Sequence, residues 1–267
     1  MGILPNCKDP TLKALKTIGY NVVQLPRVDL RPTQLLVSDN KRLKRLGEMS
    51  SVFAAGQGAP AIPLISPDRP GPSIQITKTA ALDLGVGLNI LGGLISALGG
   101  STLGLNLAYS KAHKIEMEYS GTLENSAELA LIDAFLSGAI TNPFATATKQ
   151  MLEADMVYVV TSTLKANKLT VKATDQKKNS VGIDVPVLSQ AIGGSIKVSG
   201  TGDSSTTVIF EGTVPLAFAF QAVKLIFDDG IYRSMKLVDG GGVIAEAVAG
   251  EAAEQPAMIE DDMLLRS

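Results

Sequence analysis

The sequence predicts an α+β fold: a twisted central antiparallel sheet with helices packed around it, followed by a short C-terminal tail. Three observations carry this reading. Long segments alternate apolar and polar residues, helix signals fall in short intervals between them, and Gly240, Gly241 and Gly242 set an acidic tail apart. Period two marks strands that bury one face. A chain of 267 residues is long enough for one large domain or two small ones with a real core.

In chain order, Asp9 caps a first helix, Pro10 takes its first turn and Gly19 closes it, with Leu12, Leu15 and Ile18 as its apolar stripe. Residues 20–25 form a strand ended by Pro26. Arg27, Arg31, Lys41, Arg42, Lys44 and Arg45 make the N-terminal fifth basic. Such a run fits a solvated face. It also fits attraction to anionic lipid headgroups, worth about 1 kcal/mol per base near the surface. Residues 56–73 are rich in proline and glycine and read as a loop.

Residues 74–119 are the most informative stretch. Residues 84–110 carry no charge over 27 positions, enough to cross a bilayer as a helix. Seven of those 27 are glycines, which weighs against a lone spanning helix because each interior glycine costs about 1 kcal/mol relative to alanine. Both flanks alternate instead: Ile74, Ile76, Ala80, Leu82, Leu84, Val86 and Leu88 on one side, then Leu103, Leu105, Leu107, Tyr109, Ile115, Met117 and Tyr119. This predicts strands over 74–88 and 103–119, joined by a short apolar helix or loop at 89–98. One reading is a piece of a soluble sheet with one buried face. The other is a hairpin that is soluble in one state and spans a membrane in another, since each flank exceeds the roughly 9–11 residues a tilted spanning strand needs.

Ser126 is expected to start a helix through 137, and Asn142-Pro143 a second one to about Leu152. Residues 156–174 and 180–199 read as two further long strands around the turn at 175–179, the second interrupted by Pro186. Residues 206–226 are a strand whose Val208, Phe210, Val214, Leu216, Phe218 and Phe220 are expected to belong to sheet core. From the triple glycine onward, the last 28 residues hold six acids and one base. The tail is therefore at −5, which leaves the body at +3 given the overall −2. Ile259, Leu264 and Leu265 suggest a tail that docks.

Chemistry is poorly represented. There is no G-x-S-x-G elbow and no P-loop, and Gly200-Thr201-Gly202-Asp203 reads as a turn. His113, the one histidine, has no acid or thiol near it in sequence, so the expectation is neither an enzyme nor a metal protein. Few aromatics and no recognised motif argue against nucleic-acid binding. The single Cys7 excludes an internal disulfide and fits a reducing compartment. No secretory signal opens the chain, so a cytoplasmic start is expected. Met1-Gly2 is followed by Asn6 where myristoylation wants Ser or Thr.

Cys7-Lys-Asp-Pro10, Gly19-Tyr-Asn-Val-Val-Gln-Leu-Pro-Arg27 with Asp29 and Arg31-Pro32, and Val214-Pro-Leu-Ala-Phe-Ala-Phe-Gln-Ala-Val223 before Asp228-Asp-Gly230 resemble bacterial gasdermins over essentially the whole chain. The resemblance implies a pore-forming protein of anti-phage defence: an autoinhibited cytoplasmic monomer whose short inhibitory tail is cut by a partner peptidase, caspase-like or other. It implies assembly into a homo-oligomeric ring in the inner membrane. It also implies S-palmitoylation of a cysteine near the N-terminus, which transfers to Cys7, with no other cofactor. The domain is then residues 1–242 and the inhibitory tail 243–267. The cut is expected within 237–250, with Leu237, Val243 and Gly250 as candidates. The membrane hairpins are expected at about 74–119 and 156–199, and anionic headgroup contacts at Lys41, Arg42, Lys44 and Arg45. A non-lytic peripheral lipid-binding β-rich module is the alternative.

Overall fold

The computed structural model describes residues 19–39, 42–71, 82–193, 196–200 and 204–237. The helix expected at 9–19 and the whole tail lie outside them. Strands β1 (Asn21–Arg27), β2 (Gln34–Asp39) and β3 (Arg42–Glu48) lead into a single turn of helix, α1 (Met49–Val52), and β4 (Phe53–Ala55). After the proline-rich loop come β5 (Arg69–Pro70), β6 (Leu82–Asp83), α2 (Leu84–Ala97) and α3 (Leu105–Ala108). Next are β7 (Lys114–Ser120), β8 (Leu123–Ser126), α4 (Leu129–Ser137), β9 (Ala139–Thr141) and α5 (Thr146–Glu153). The last elements are β10 (Val157–Thr174), β11 (Ile183–Asp184), α6 (Val185–Ile192), β12 (Ile196–Gly200), β13 (Ser204–Ser205), β14 (Thr207–Asp228) and β15 (Ile231–Leu237).

Two strands form the spine. β10 and β14 run antiparallel along their length, and their flanking partners change from one end to the other. At one end β2 pairs with residues 157–159 and β15 with 223–228. In the middle, β8 pairs with 162–165 and β1 with 217–220. At the far end β7 pairs with 168–174 and β12 with 208–212. The register shifts at Val160/Ser162, Leu164/Lys165 and Ala166/Lys168. Bulges of this kind increase local twist, which lets one ribbon serve three differently oriented sets of neighbours.

The core follows the same division. Phe135, Leu136, Leu152, Val157, Leu225 and Phe227 pack together under α4 and α5, where Phe53 stacks on Phe227 with centroids 5.8 Å apart. The larger cluster sits at the far end, between the sheet and α2, α3 and α6. At the middle level a buried polar chain crosses the strands. Tyr20 Oη lies 2.9 Å from Glu124 Oε1 and 2.8 Å from Ser162 Oγ, and Thr163 Oγ1 donates to Asn125 Oδ1. Burial pushes the Tyr20 phenol well above its usual value, partly offset by the bond to Ser162.

Three expectations need correction. Residues 84–88 are the start of α2 rather than a strand; among the described residues of that flank, Leu82 and Asp83 pair with β7, opposite Ile115 and Lys114, and residues 74–81 lie outside the described residues. In the returning flank, 105–108 are helical and the strand begins at Lys114. Residues 180–199 are largely α6, started by Asp184, whose Oδ1 accepts from Val187 N–H at 2.9 Å, with Pro186 in the first turn. The long strand paired with β10 is therefore β14 rather than 180–199. Smaller shifts have local causes. Asn142 Oδ1 accepts from Phe144 N–H, a turn that delays α5 to Thr146, and Ser126 ends β8 opposite Ser162, so α4 starts at Leu129.

Candidate functional site

The far end of the sheet, β7–β10–β14–β12, has two contrasting faces because opposed residues in an antiparallel ladder point the same way. On one face Ala173 lies opposite Ile115, Val171 opposite Met117 and Val208, and Leu169 opposite Phe210. All seven are buried. On the other face Lys172 lies opposite Glu116 and Thr207, Thr170 opposite Glu118 and Ile209, and Glu211 opposite both Lys168 and Lys197. Bases and acids alternate across four strands. Cross-strand pairs of opposite charge contribute about 0.2–1 kcal/mol each, so this face is stable in water without burial.

The apolar face is covered by the uncharged stretch. Leu91, Leu94, Ile95 and Leu98 of α2 and its C-terminal turn, Leu105 of α3, and Val185, Leu188 and Ile192 of α6 all belong to the same cluster. α2 is short for a membrane helix at 14 residues, and among the described residues no helix is long and apolar enough to cross a membrane. Its end is sharply defined. Gly100 N–H bonds Ile95 O at 2.9 Å and Gly99 N–H bonds Ser96 O at 3.0 Å, with Gly99 at φ +77, a Schellman ending. Tyr109 is fully buried beside this cover and its hydroxyl has no hydrogen-bond partner among the described residues. An unsatisfied buried hydroxyl costs about 1–3 kcal/mol, so the helical arrangement carries a penalty at this position.

The basic cluster lies at the opposite end of the sheet. Lys41 is outside the described residues, Arg42 begins β3 opposite Asp39, and Lys44 is exposed. Arg45 is engaged: Nη1 lies 2.7 Å from Asp29 Oδ2 and Nη2 lies 3.1 Å from Glu48 Oε1. The same Glu48 oxygen receives Arg31 Nη2 at 3.2 Å and Gln34 Nε2 at 2.9 Å. Of the acids in this cluster, the sequence marks Asp29 through the family resemblance and gives Glu48 no signal; Gln34 lying opposite Glu48 on paired strands is what assembles them.

Burial raises the Glu48 carboxyl, but hydrogen bonds from Gln34, Arg31 and Arg45 outweigh it and hold it below its ordinary 4.5. A carboxyl lowered on folding adds stability above its unfolded value, and that increment disappears as pH falls through the folded value. Thermal melts taken from about pH 6 down to about pH 3 should therefore show a steeper loss for the wild type than for Glu48→Gln. Parallel losses would refute the assignment.

Cys7, Val243 and Gly250 lie outside the described residues. Leu237 ends β15, half-exposed, opposite Val223. His113 is exposed at the head of β7, where its N–H bonds Thr174 O at 2.7 Å and its carbonyl accepts from Leu84 N–H at 3.1 Å. Among the described residues, no group of three or more His, Cys, Asp or Glu side chains is placed to hold a metal.

The chain as a whole is similar to known proteins. A model described as Bacterial Gasdermin Family matches residues 23–233. A gasdermin bGSDM from Lysobacter enzymogenes is 56% identical over 268 aligned residues, covering 99% of each chain. One from a Desulfuromonadales bacterium is 36% identical and covers 96% of each. A solved bacterial gasdermin structure from Bradyrhizobium tropiciagri shares the fold with a TM-score of 0.58 at 19% identity, over 87% of this chain and 92% of that one. The chain belongs to the bacterial gasdermin family, a family of pore-forming effectors rather than of enzymes.

Proposed function

We propose that this chain is an autoinhibited pore-forming effector of bacterial anti-phage defence. A partner peptidase, caspase-like or other, removes the tail within 237–250. The body then assembles into a homo-oligomeric ring and inserts β-hairpins into the inner membrane. The intact form is a cytoplasmic monomer. The observation that carries this is the uncharged cover of α2 and α3, lying on the apolar face of a sheet whose other face is already polar. A barrel wall needs that two-faced pattern, with one face to lipid and the other to a polar lumen.

The energetics set conditions on insertion. Stripping Leu91, Leu94, Ile95 and Leu98 from the sheet forfeits on the order of 6–12 kcal/mol, at about 1.5–3 kcal/mol each. Lipid must replace that contact as it is lost. An open sheet edge is equally forbidden in hydrocarbon, because unpaired backbone groups cost several kcal/mol each. Insertion is therefore coupled to pairing with neighbouring copies. Lys41, Arg42 and Lys44 supply attraction to anionic headgroups, with Arg45 contributing less because it is already paired with Asp29 and Glu48. A palmitoyl group on Cys7 binds membranes only marginally by itself.

The test compares dye release from phosphatidylglycerol-containing vesicles by the intact chain and by a chain ending at Gly242. The truncated chain should leak dye and the intact chain should not. Vesicle flotation of the truncated chain without leakage would favour a non-lytic lipid-binding module instead. Intact-mass analysis after co-expression with a genomically neighbouring peptidase locates the cut; an uncut chain under those conditions would count against proteolytic activation.

A further inference from the structure

We propose that α2–α3 and α6 form one interlocked cover that leaves the sheet in a single step, with Gly100 as the point of engagement. Its functional meaning rests on the pore-forming reading above. The covers are distant in sequence and belong to different expected hairpins, 74–119 and 156–199. Three contacts nevertheless join them. Ser101 N–H donates to Ile192 O at 2.9 Å. A Cβ at Gly104 would lie 3.1 Å from the Cβ of Ala191. A Cβ at Gly100 would meet Ile95 Cγ2 at 2.9 Å, Ile192 Cγ2 at 3.1 Å and Ile196 Cδ1 at 2.8 Å.

Gly100 thus lies at once against α2, α6 and β12. All three neighbours are isoleucines, stiff at χ1, and all three are buried. A methyl group added there cannot be absorbed by rotating one flexible end, because three elements press on the same point. The arrangement also ties the covers to each other. If α2 and its following turn lifted alone, the Ser101–Ile192 bond would break and one side of Ile192 would lose its packing. Departure of α6 alone has the mirror-image cost. The least costly opening takes both, as one cooperative unit.

This has a consequence for the pore. At this level β12 flanks the β10–β14 pair on the β14 side, and β7 flanks it on the β10 side with the two-residue β6 beside it. Joint release frees the segments beside both of them together, so both sides become available at once for the pairing with neighbouring copies that hydrocarbon requires.

Hydrogen exchange on the intact protein tests the proposal without a membrane. Gly92 sits within α2, and a Cβ there would make only ordinary contacts, 3.5 Å from Thr102 Cγ2 and 3.9 Å from Leu105 Cδ1. Gly92→Ala should therefore favour the helix and slow α2 exchange about five-fold. In an interlocked cover the α6 amides slow by the same factor, although no described atom of α6 lies within 4 Å of the added methyl. Gly100→Ala should speed exchange in both helices together, with β10 residues 157–164 unchanged. Slowing by Gly92→Ala that is confined to α2, or that appears in neither helix, overturns the proposal, as does acceleration by Gly100→Ala in only one of them. If Gly100→Ala does not fold, the Gly92→Ala comparison still decides. Failure of the truncated wild type to leak dye would sink the pore reading and leave the exchange result standing.

Discussion

Val171→Lys is expected to remove most of the stability of the fold, while Thr170→Lys, one residue away, leaves it within about 0.5 kcal/mol. Val171 is 1% exposed on the apolar face of β10, opposite Met117 and Val208. A lysine there has no described acid among those neighbours, and breaking a well-packed site with an uncompensated buried charge costs about 3–5 kcal/mol. Thr170 is on the other face, with Glu118 opposite it on β7. A lysine at 170 meets a carboxylate rather than a methionine. Urea unfolding should separate the two variants cleanly. On vesicles, a truncated chain carrying Thr170→Lys should leak dye as the wild type does, because that face is the one a lumen requires to be polar. Equal destabilisation at both positions would mean that the two faces differ less than their burial indicates.

The same alternation explains what was legible in the sequence. β10 and β14 are long, and the strands expected at 156–174 and 206–226 are observed at Val157–Thr174 and Thr207–Asp228, although residues 157–164 are buried on both faces and alternate only weakly in sequence. α2 was not legible in that way. Around residues 84–98 nearly every position is apolar or glycine, so the alternation of Leu84, Val86 and Leu88 has no polar counter-face to test it. Tertiary packing decides instead: Leu91 and Ile95 are one helical turn apart and both reach the sheet. α6 did carry a signal. Asp184 followed by Pro186 is the same cap-and-proline arrangement recognised at Asp9-Pro10, but set inside an apolar run it reads as an interrupted strand. At the other end, four consecutive-looking bases suggest one patch, whereas strand pairing gives Arg45 to Asp29 and Glu48 and brings Arg31 beside it. Charge in sequence counts ions; the ladder decides which of them are already paired.

Phe210→Ala should be the most damaging simple truncation in the far-end core, lowering stability by about 3–5 kcal/mol. Its ring is fully buried, with Leu169 opposite on β10 and Val198 opposite on β12. It belongs to the cluster that also holds α2 and α6, so the cavity would open between sheet and cover, where backbone pairing on both sides limits collapse. Against a typical total of about 5–15 kcal/mol, that loss is a large fraction. The urea midpoint should fall with little change in slope, since the surface exposed on unfolding is nearly the same. Phe144 supplies the contrast: at 92% exposed it has no packing to lose, and Phe144→Ala should stay within about 0.5 kcal/mol. If Phe210→Ala were equally mild, the apolar face would be held by lateral strand pairing rather than by the side chains beneath the cover. The helices would then be free to leave without the compensation that lipid is proposed to provide.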